Sequence, residues 1–172
     1  SLCGGRIVAS YLKDVTNRYG VFSMGGVYLH GIDLPGRGLS GFQSRPDDSI
    51  AFYSYTDYRT PFTVYKYDIV SQKTTVFFRP RVDFNPEDYV SEQVFCSGRD
   101  GTKIPIFITR KKTTVLDGSN PAFLFGYGGF NISLSPSFQT DKIVFLENGG
   151  VYAVANLRGG GEYGEDWHKA GT

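Results

Sequence analysis

The residue best placed for chemistry in this sequence is a tyrosine set among glycines, in the stretch P-A-F-L-F-G-Y-G-G-F-N at residues 121–131. The apolar run at residues 122–125 is bounded by glycine and predicts a fully buried strand, although a run this short also fits a turn of helix. Glycine permits backbone angles and close approaches that a Cβ would block. The sequence therefore predicts a strand that delivers Tyr127 to a loop where its backbone and its phenol could both face a ligand.

A second glycine-rich stretch, R-G-G-G-E-Y-G-E-D-W-H at residues 158–168, follows the apolar run V-Y-A-V-A-N-L. Glycines directly after a strand predict a tight turn at the carboxyl edge of a parallel sheet, where α/β proteins bind ligands. The spacing fits neither a dinucleotide-binding motif nor a phosphate-binding loop. His168 has no second histidine nearby and the acids show no ligand spacing, so we expect no metal site and no cofactor. We expect Arg158 to pair with an acid and Trp167 to pack the helix that follows.

Composition and charge narrow the classes of function. The 172 residues carry 18 basic and 17 acidic side chains, and this balance gives no indication of nucleic-acid or anionic-membrane binding. No stretch approaches the ~18 uninterrupted apolar residues of a membrane span. The content of 40% hydrophobic and 16% aromatic residues predicts a globular, strand-rich chain. Cys3 and Cys96 match no metal or redox motif, so we expect two reduced, mostly buried thiols.

The first eighty residues predict blades of a β-propeller. Short runs rich in Val, Ile, Tyr, Phe and Thr alternate with turn residues and predict seven strands. The predicted strands cover residues 6–12, 19–23, 27–29, 39–43, 50–56, 62–68 and 74–79. A weak repeat aligns residues 7–9 with 50–52 and residues 19–22 with 62–65, at an offset of 43. That offset lies within the ~40–45-residue period of four-stranded blades. Chance similarity among strand-rich segments is the alternative.

The second half predicts an α/β sheet, after a boundary near residues 80–88 where prolines and charges cluster. Strands at residues 91–97 and 103–112 flank the hairpin signal Asp100-Gly101, and Pro105 is expected near a sheet edge. A crossover helix is predicted over residues 138–147 and ends at Asn148-Gly149-Gly150. Its apolar face is expected to consist of Phe138, Ile143, Phe145 and Leu146. Strand, helix and strand then form a right-handed parallel unit.

Several motifs resemble the prolyl oligopeptidase family of serine peptidases. They are G-Y-G-G-F-N at residues 126–131 and A-N-L-R-G-G-G-E-Y-G-E-D-W-H-K at residues 155–169, with D-G-T-K-I-P-I-F-I and D-G-S-N-P-A-F-L before them. The resemblance implies about two of the seven blades of a β-propeller over residues 1–80. It implies the N-terminal strands of an α/β-hydrolase peptidase domain over residues 81–172. Because the chain starts at Ser1 without an initiator methionine and stops within a helix-like run, we expect an internal fragment.

The resemblance also implies an activity and two site residues. It implies a cytoplasmic serine peptidase, monomeric when complete, that cuts short peptides on the carboxyl side of proline without a cofactor, a nucleic acid or a membrane. Tyr127 matches the oxyanion tyrosine of the family, and a phenol stays protonated at neutral pH and so remains a hydrogen-bond donor. Phe130 matches a residue that lines the proline pocket. For both side chains, ordinary packing is the alternative interpretation.

The chain departs from the family in its catalytic residues. No serine lies in a G-x-S-x-G elbow, and neither His30 nor His168 matches the catalytic histidine. The catalytic serine, aspartate and histidine are therefore absent from this chain, and we expect the chain alone to hydrolyse nothing. Two alternatives stay open: a sister peptidase of the oligopeptidase B type, which differs around Y-G-G-F, and a non-catalytic propeller-type binding module.

Overall fold

The computed structural model describes residues 1–171, which divide into two compact units. The first unit contains Ser1–Val82 together with Pro136–Phe138. The second contains Asp83–Ser135 and the described residues from Gln139 onwards.

Two four-stranded antiparallel sheets make up the first unit, and in each the strands lie side by side in chain order. The first sheet contains β1 (Leu2–Cys3), β2 (Arg6–Lys13), β3 (Thr16–Ser23) and β4 (Tyr28–Ile32). The second contains β5 (Leu39–Ser44), β6 (Ile50–Thr56), β7 (Thr63–Asp68) and β8 (Lys73–Phe78). Each sheet has the four-stranded form of a propeller blade. The seven predicted strands are confirmed, whereas the two-residue β1 was not predicted.

The internal repeat identifies equivalent strands but not equivalent pairings. Ile7 on β2 lies opposite Phe22 on β3, as read from the backbone register. The offset of 43 would therefore place Tyr65 opposite Ile50, but Asp68 occupies that position. The connection between β6 and β7 is longer than the turn between β2 and β3, so the third strand of the second sheet is displaced along its partner.

The core of the first unit is rich in tyrosine, and each buried hydroxyl that points inward needs a partner. The hydroxyl of Tyr19 donates to Ser40 Oγ at 3.1 Å, and that of Tyr55 donates to Asp57 Oδ2 at 2.8 Å. These contacts satisfy the hydroxyls of Tyr19 and Tyr55, whereas the buried hydroxyl of Tyr67 has no hydrogen-bond partner within the described residues. The buried core residues are Cys3, Val8, Tyr19, Val21, Ile32, Ala51, Tyr53, Tyr55, Tyr65, Tyr67 and Ile69.

The second unit is a mixed four-stranded sheet in the order β11-β12-β10-β9. Its elements are β9 (Tyr89–Ser97), β10 (Lys103–Lys111), β11 (Ala122–Tyr127), α1 (Thr140–Glu147), β12 (Val151–Asn156) and α2 (Glu165–Lys169). The pair β9–β10 is an antiparallel hairpin and β10–β12 is antiparallel, whereas β11–β12 is parallel. The predicted hairpin and the predicted strand–helix–strand unit with parallel strands are both confirmed. The turn at Gly149 ends α1, because Gly150 N donates to Phe145 O.

Four expectations from the sequence are wrong. The strand β11 is not fully buried: it lies at the edge of the described sheet, and Leu124 is 67% exposed. Cys96 on β9 is exposed, although Cys3 is buried as expected. The helix begins at Thr140, with Gln139 as its N-cap, so Phe138 lies outside it. Pro105 lies within the central strand β10, just before the stretch that pairs with β12.

Candidate active site

Tyr127 is the last residue of β11, at the carboxyl end of the parallel pair with β12. Its register partner on β12 is Asn156. The side chain of Tyr127 is 37% exposed, and within residues 1–171 its hydroxyl makes no hydrogen bond. A phenol at this edge, neither buried in a core nor engaged by a neighbour, is available as a donor to a ligand.

Tyr127 opens a loop that lies against the second glycine-rich segment. We term residues 127–135 the tyrosine loop and residues 157–164 the glycine turn. A Cβ on Gly128 would lie 2.2 Å from the carbonyl oxygen of Arg158, and one on Gly159 would lie 2.3 Å from that of Gly128. Gly159 also has a φ of +96°, which favours glycine. Backbone therefore contacts backbone here, and glycine at these positions is what allows the contact.

The middle of the tyrosine loop holds a strained backbone. Phe130 and Asn131 are consecutive residues with φ of +54° and +56°, in the left-handed region that a Cβ disfavours. Such conformations cost about 1–3 kcal/mol each and persist where surrounding contacts impose them. One such contact is the hydrogen bond from Asn131 N to Gly159 O, at 3.1 Å. The ring of Phe130 is 85% exposed. The left-handed backbone of this loop therefore leaves an apolar ring in contact with solvent.

Two buried polar side chains lie next to these segments. The sequence did not single out Asn156, and it offered Glu162 only as one of several acids in the second glycine-rich stretch. Asn156 is fully buried at the end of β12, and Glu162 on the glycine turn is 7% exposed. Asn156 Nδ2 donates to Leu134 O at 2.7 Å and to Glu162 Oε1 at 3.1 Å. Glu162 Oε1 also accepts from the backbone N–H of Leu134 at 3.0 Å. An asparagine that ends an otherwise apolar strand was the available signal.

Arg158 and Trp167 have the structural roles expected for them. The Arg158 guanidinium forms an ion pair with Asp100 in the β9–β10 turn. Hydrogen bonds from Thr102, together with this guanidinium, lower the pKa of the Asp100 carboxyl to about 2. Trp167 is buried on α2, and its Nε1 donates to Leu157 O at 3.1 Å. These two contacts hold the start of the glycine turn, at Leu157 and Arg158.

The remaining polar residues of the second motif point to separate partners. Glu165 pairs with Lys169 at 3.3 Å, and His168 Nδ1 lies 2.7 Å from Gly159 O. Across residues 1–171, no three His, Cys, Asp or Glu side chains gather as metal ligands. None of the helices in the described part of the chain is long and apolar enough to cross a membrane.

Propeller-type blades followed by the first strands of an α/β sheet define a class of peptidases in which a β-propeller precedes an α/β-hydrolase domain. Comparison with known proteins agrees with this. The model for the N-terminal β-propeller domain of prolyl oligopeptidase matches residues 1–79, and the prolyl oligopeptidase family model matches residues 136–172. The chain belongs to the prolyl oligopeptidase family, whose members are serine peptidases.

Individual relatives extend the similarity over nearly all of the chain. The prolyl endopeptidase of Elizabethkingia meningoseptica is 48% identical over 98% of the chain, which spans 24% of that protein. The dual function macrocyclase-peptidase POPB of Galerina marginata is 37% identical over 95% of the chain and 23% of the relative. A solved structure from a study of two prolyl endopeptidases superposes with a TM-score of 0.89 at 41% identity, over 99% of this chain and 25% of that one. The chain thus spans about a quarter of the length of these relatives.

Proposed function

We propose that the complete protein carrying this chain is a serine-type endopeptidase or oligopeptidase that hydrolyses short peptides on the carboxyl side of proline. Residues 1–80 are then the C-terminal part of its propeller, and residues 81–172 are the start of its peptidase domain. The names of the relatives support this substrate class, since two bacterial prolyl endopeptidases are 48% and 49% identical to the chain. The family resemblance alone supports a monomeric, cytoplasmic enzyme.

The observation that carries the proposal is the free hydroxyl of Tyr127 at the carboxyl end of β11. Attack of a serine on a peptide carbonyl creates an oxyanion, and a fixed donor aimed at that oxygen lowers the barrier. The Tyr127 hydroxyl is such a donor, held on a strand instead of a mobile segment. The exposed ring of Phe130 offers a flat apolar surface to a proline ring.

The chain by itself is proposed to be inactive. It holds the oxyanion donor, but no serine in a G-x-S-x-G elbow and no histidine that matches the catalytic one. The nucleophile and its base therefore belong to other parts of the complete protein, and activity is to be tested there.

Tyr127→Phe in the complete protein is the test, because it removes only the hydroxyl. We expect kcat on a proline peptide to fall by about 10²–10³, since that is the usual cost of losing one oxyanion donor. We expect KM to change little, because the donor acts mainly on the transition state. Tyr11→Phe is the matched control, because Tyr11 is an exposed tyrosine on β2. The kcat of this variant should equal that of the parent enzyme. An unchanged kcat in Tyr127→Phe would refute the assignment.

The two alternative functions are separated by substrate and by turnover. A peptidase of the oligopeptidase B type would favour an arginine-linked peptide over the otherwise identical proline peptide, as measured by kcat/KM in the complete protein. A non-catalytic binding module would bind proline peptides without releasing product. Faster cleavage after arginine would overturn the proline specificity, and binding without cleavage would overturn the enzyme assignment.

A further inference from the structure

A buried hydrogen-bond cluster fixes the far end of the tyrosine loop. Both polar groups of the Leu134 backbone are engaged: its N–H donates to Glu162 Oε1, and its carbonyl accepts from Asn156 Nδ2. The third bond of the cluster joins Asn156 Nδ2 to Glu162 Oε1. We call Asn156, Glu162 and the backbone of Leu134 the Leu134 clamp. Because all three bonds are buried or partly buried, each is stronger than the same bond in water.

The clamp is connected to Tyr127 through the sheet. Asn156 is the register partner of Tyr127 in the parallel pair, so the residue that begins the tyrosine loop lies beside the residue that holds its end. Between these points Phe130 and Asn131 adopt left-handed backbone angles, which persist only under constraint. The bond from Asn131 N to Gly159 O is the third anchor. The loop is therefore attached at its start, its middle and its end.

The clamp also contains polar atoms that stability alone does not explain. Within the described residues, Glu162 Oε2 and Asn156 Oδ1 are buried without a hydrogen-bond partner. Unpaired acceptors in a buried site lower stability, and each needs an explanation. The backbone nearby is shaped around this carboxylate, since a Cβ on Gly160 would lie 2.2 Å from Glu162 Oε2. A buried carboxylate that contacts the loop of the proposed oxyanion donor is a candidate for positioning that donor.

We propose that Glu162, together with Asn156, is a positioning residue: the Leu134 clamp holds the tyrosine loop so that the Tyr127 hydroxyl points at the developing oxyanion. This inference rests on the proposed function, because it assigns the clamp a role in the same reaction. Glu162 does not contact the substrate. It acts through Leu134 and Asn156, and its loss displaces a donor whose alignment sets the rate, where an error of about 1 Å costs on the order of 10²-fold.

A double-mutant cycle in the complete protein tests the positioning role. We expect Glu162→Ala to lower kcat on a proline peptide by about 10- to 100-fold, with a smaller change in KM. Glu162→Gln should restore kcat to within about threefold, because its carbonyl oxygen can accept both clamp bonds. When the Tyr127→Phe variant also carries Glu162→Ala, its kcat should fall by a further factor of less than about three. The hydroxyl that Glu162 positions is already absent from that variant.

Two further variants keep the test interpretable. Glu165→Ala makes the same chemical change three residues along, at an exposed glutamate paired with Lys169, and should leave kcat unchanged. If Glu162→Ala does not fold, as judged by circular dichroism, Glu162→Asp replaces it. Aspartate keeps the charge but withdraws the carboxylate from Leu134, and it should lower kcat in the same non-additive way.

The outcomes separate this inference from the proposed function. If Glu162→Ala lowers kcat by the same factor with and without the Tyr127 hydroxyl, or not at all, the clamp has no positioning role and the inference fails. In that case a large effect of Tyr127→Phe still supports the peptidase assignment. If Tyr127→Phe has no effect, the oxyanion assignment fails first, and the inference fails with it.

Discussion

Replacing Gly128 with alanine should force the tyrosine loop away from the glycine turn. The new Cβ would lie 2.2 Å from Arg158 O and 2.8 Å from Leu157 Cβ. Contacts under 3.0 Å essentially do not occur, so the two backbones must separate by roughly 1 Å. The obstacle includes main chain, which cannot rotate away as a flexible side chain can.

The cost follows from two physical terms. Overpacking relieved by a backbone shift costs about 1–3 kcal/mol. The same shift strains the hydrogen bond from Asn131 N to Gly159 O, which contributes about 0.5–1.5 kcal/mol. The local free energy of opening should therefore fall by about 1.5–4.5 kcal/mol. That change corresponds to a loss of amide protection of roughly ten- to two-thousandfold.

Hydrogen exchange followed by mass spectrometry on the complete protein measures this directly, on peptides that cover the tyrosine loop and the glycine turn. Gly129→Ala is the matched control in the same loop. The atoms nearest to its Cβ would be those of the Tyr127 ring and hydroxyl, at an ordinary 3.7–4.0 Å. We expect little change in protection for that variant. Equal protection in Gly128→Ala and Gly129→Ala would refute the close backbone contact on which the site geometry depends.

Two further expectations concern single side chains. The pKa of Asp100 is lowered from 3.8 to about 2. The ionised carboxylate therefore stabilises the turn at residues 98–102 at every pH above about 4, and this contribution is lost as the pH falls from about 4 to about 2. Amide protection of this turn, corrected for intrinsic exchange, should fall over that pH range. In Asp100→Asn the protection should be lower than in the parent and should not change with pH. Protection in the parent that stays constant over this range would contradict the assignment. In the native protein, iodoacetamide should label exposed Cys96 well before Cys3, whose burial raises the pKa of its thiol. Peptide mapping that finds Cys3 labelled first would contradict the burial.

The fold was largely predictable because its signals are local. Alternating apolar residues and turn chemistry depend on neighbours in the chain, and they located the strands of both blades. The glycine-rich motifs were equally readable, since only glycine tolerates the backbone contact between Gly128 and Arg158. The register of β7 was not predictable from the repeat, because the length of the preceding connection changes the pairing without changing the pattern.

The candidate site, like the fold, was predictable from the sequence only in part. The sequence by itself determined that Tyr127 ends a strand among glycines, and that a parallel strand follows a crossover helix. Only the tertiary structure decided that β11 lies at an exposed edge, that Arg158 meets Asp100, and that Asn156 and Glu162 meet at Leu134. The periodicity of apolar residues indicates which face of a helix or strand is apolar, but not which distant part of the chain packs against that face. Pairings between buried polar groups depend on chain segments that come together only on folding.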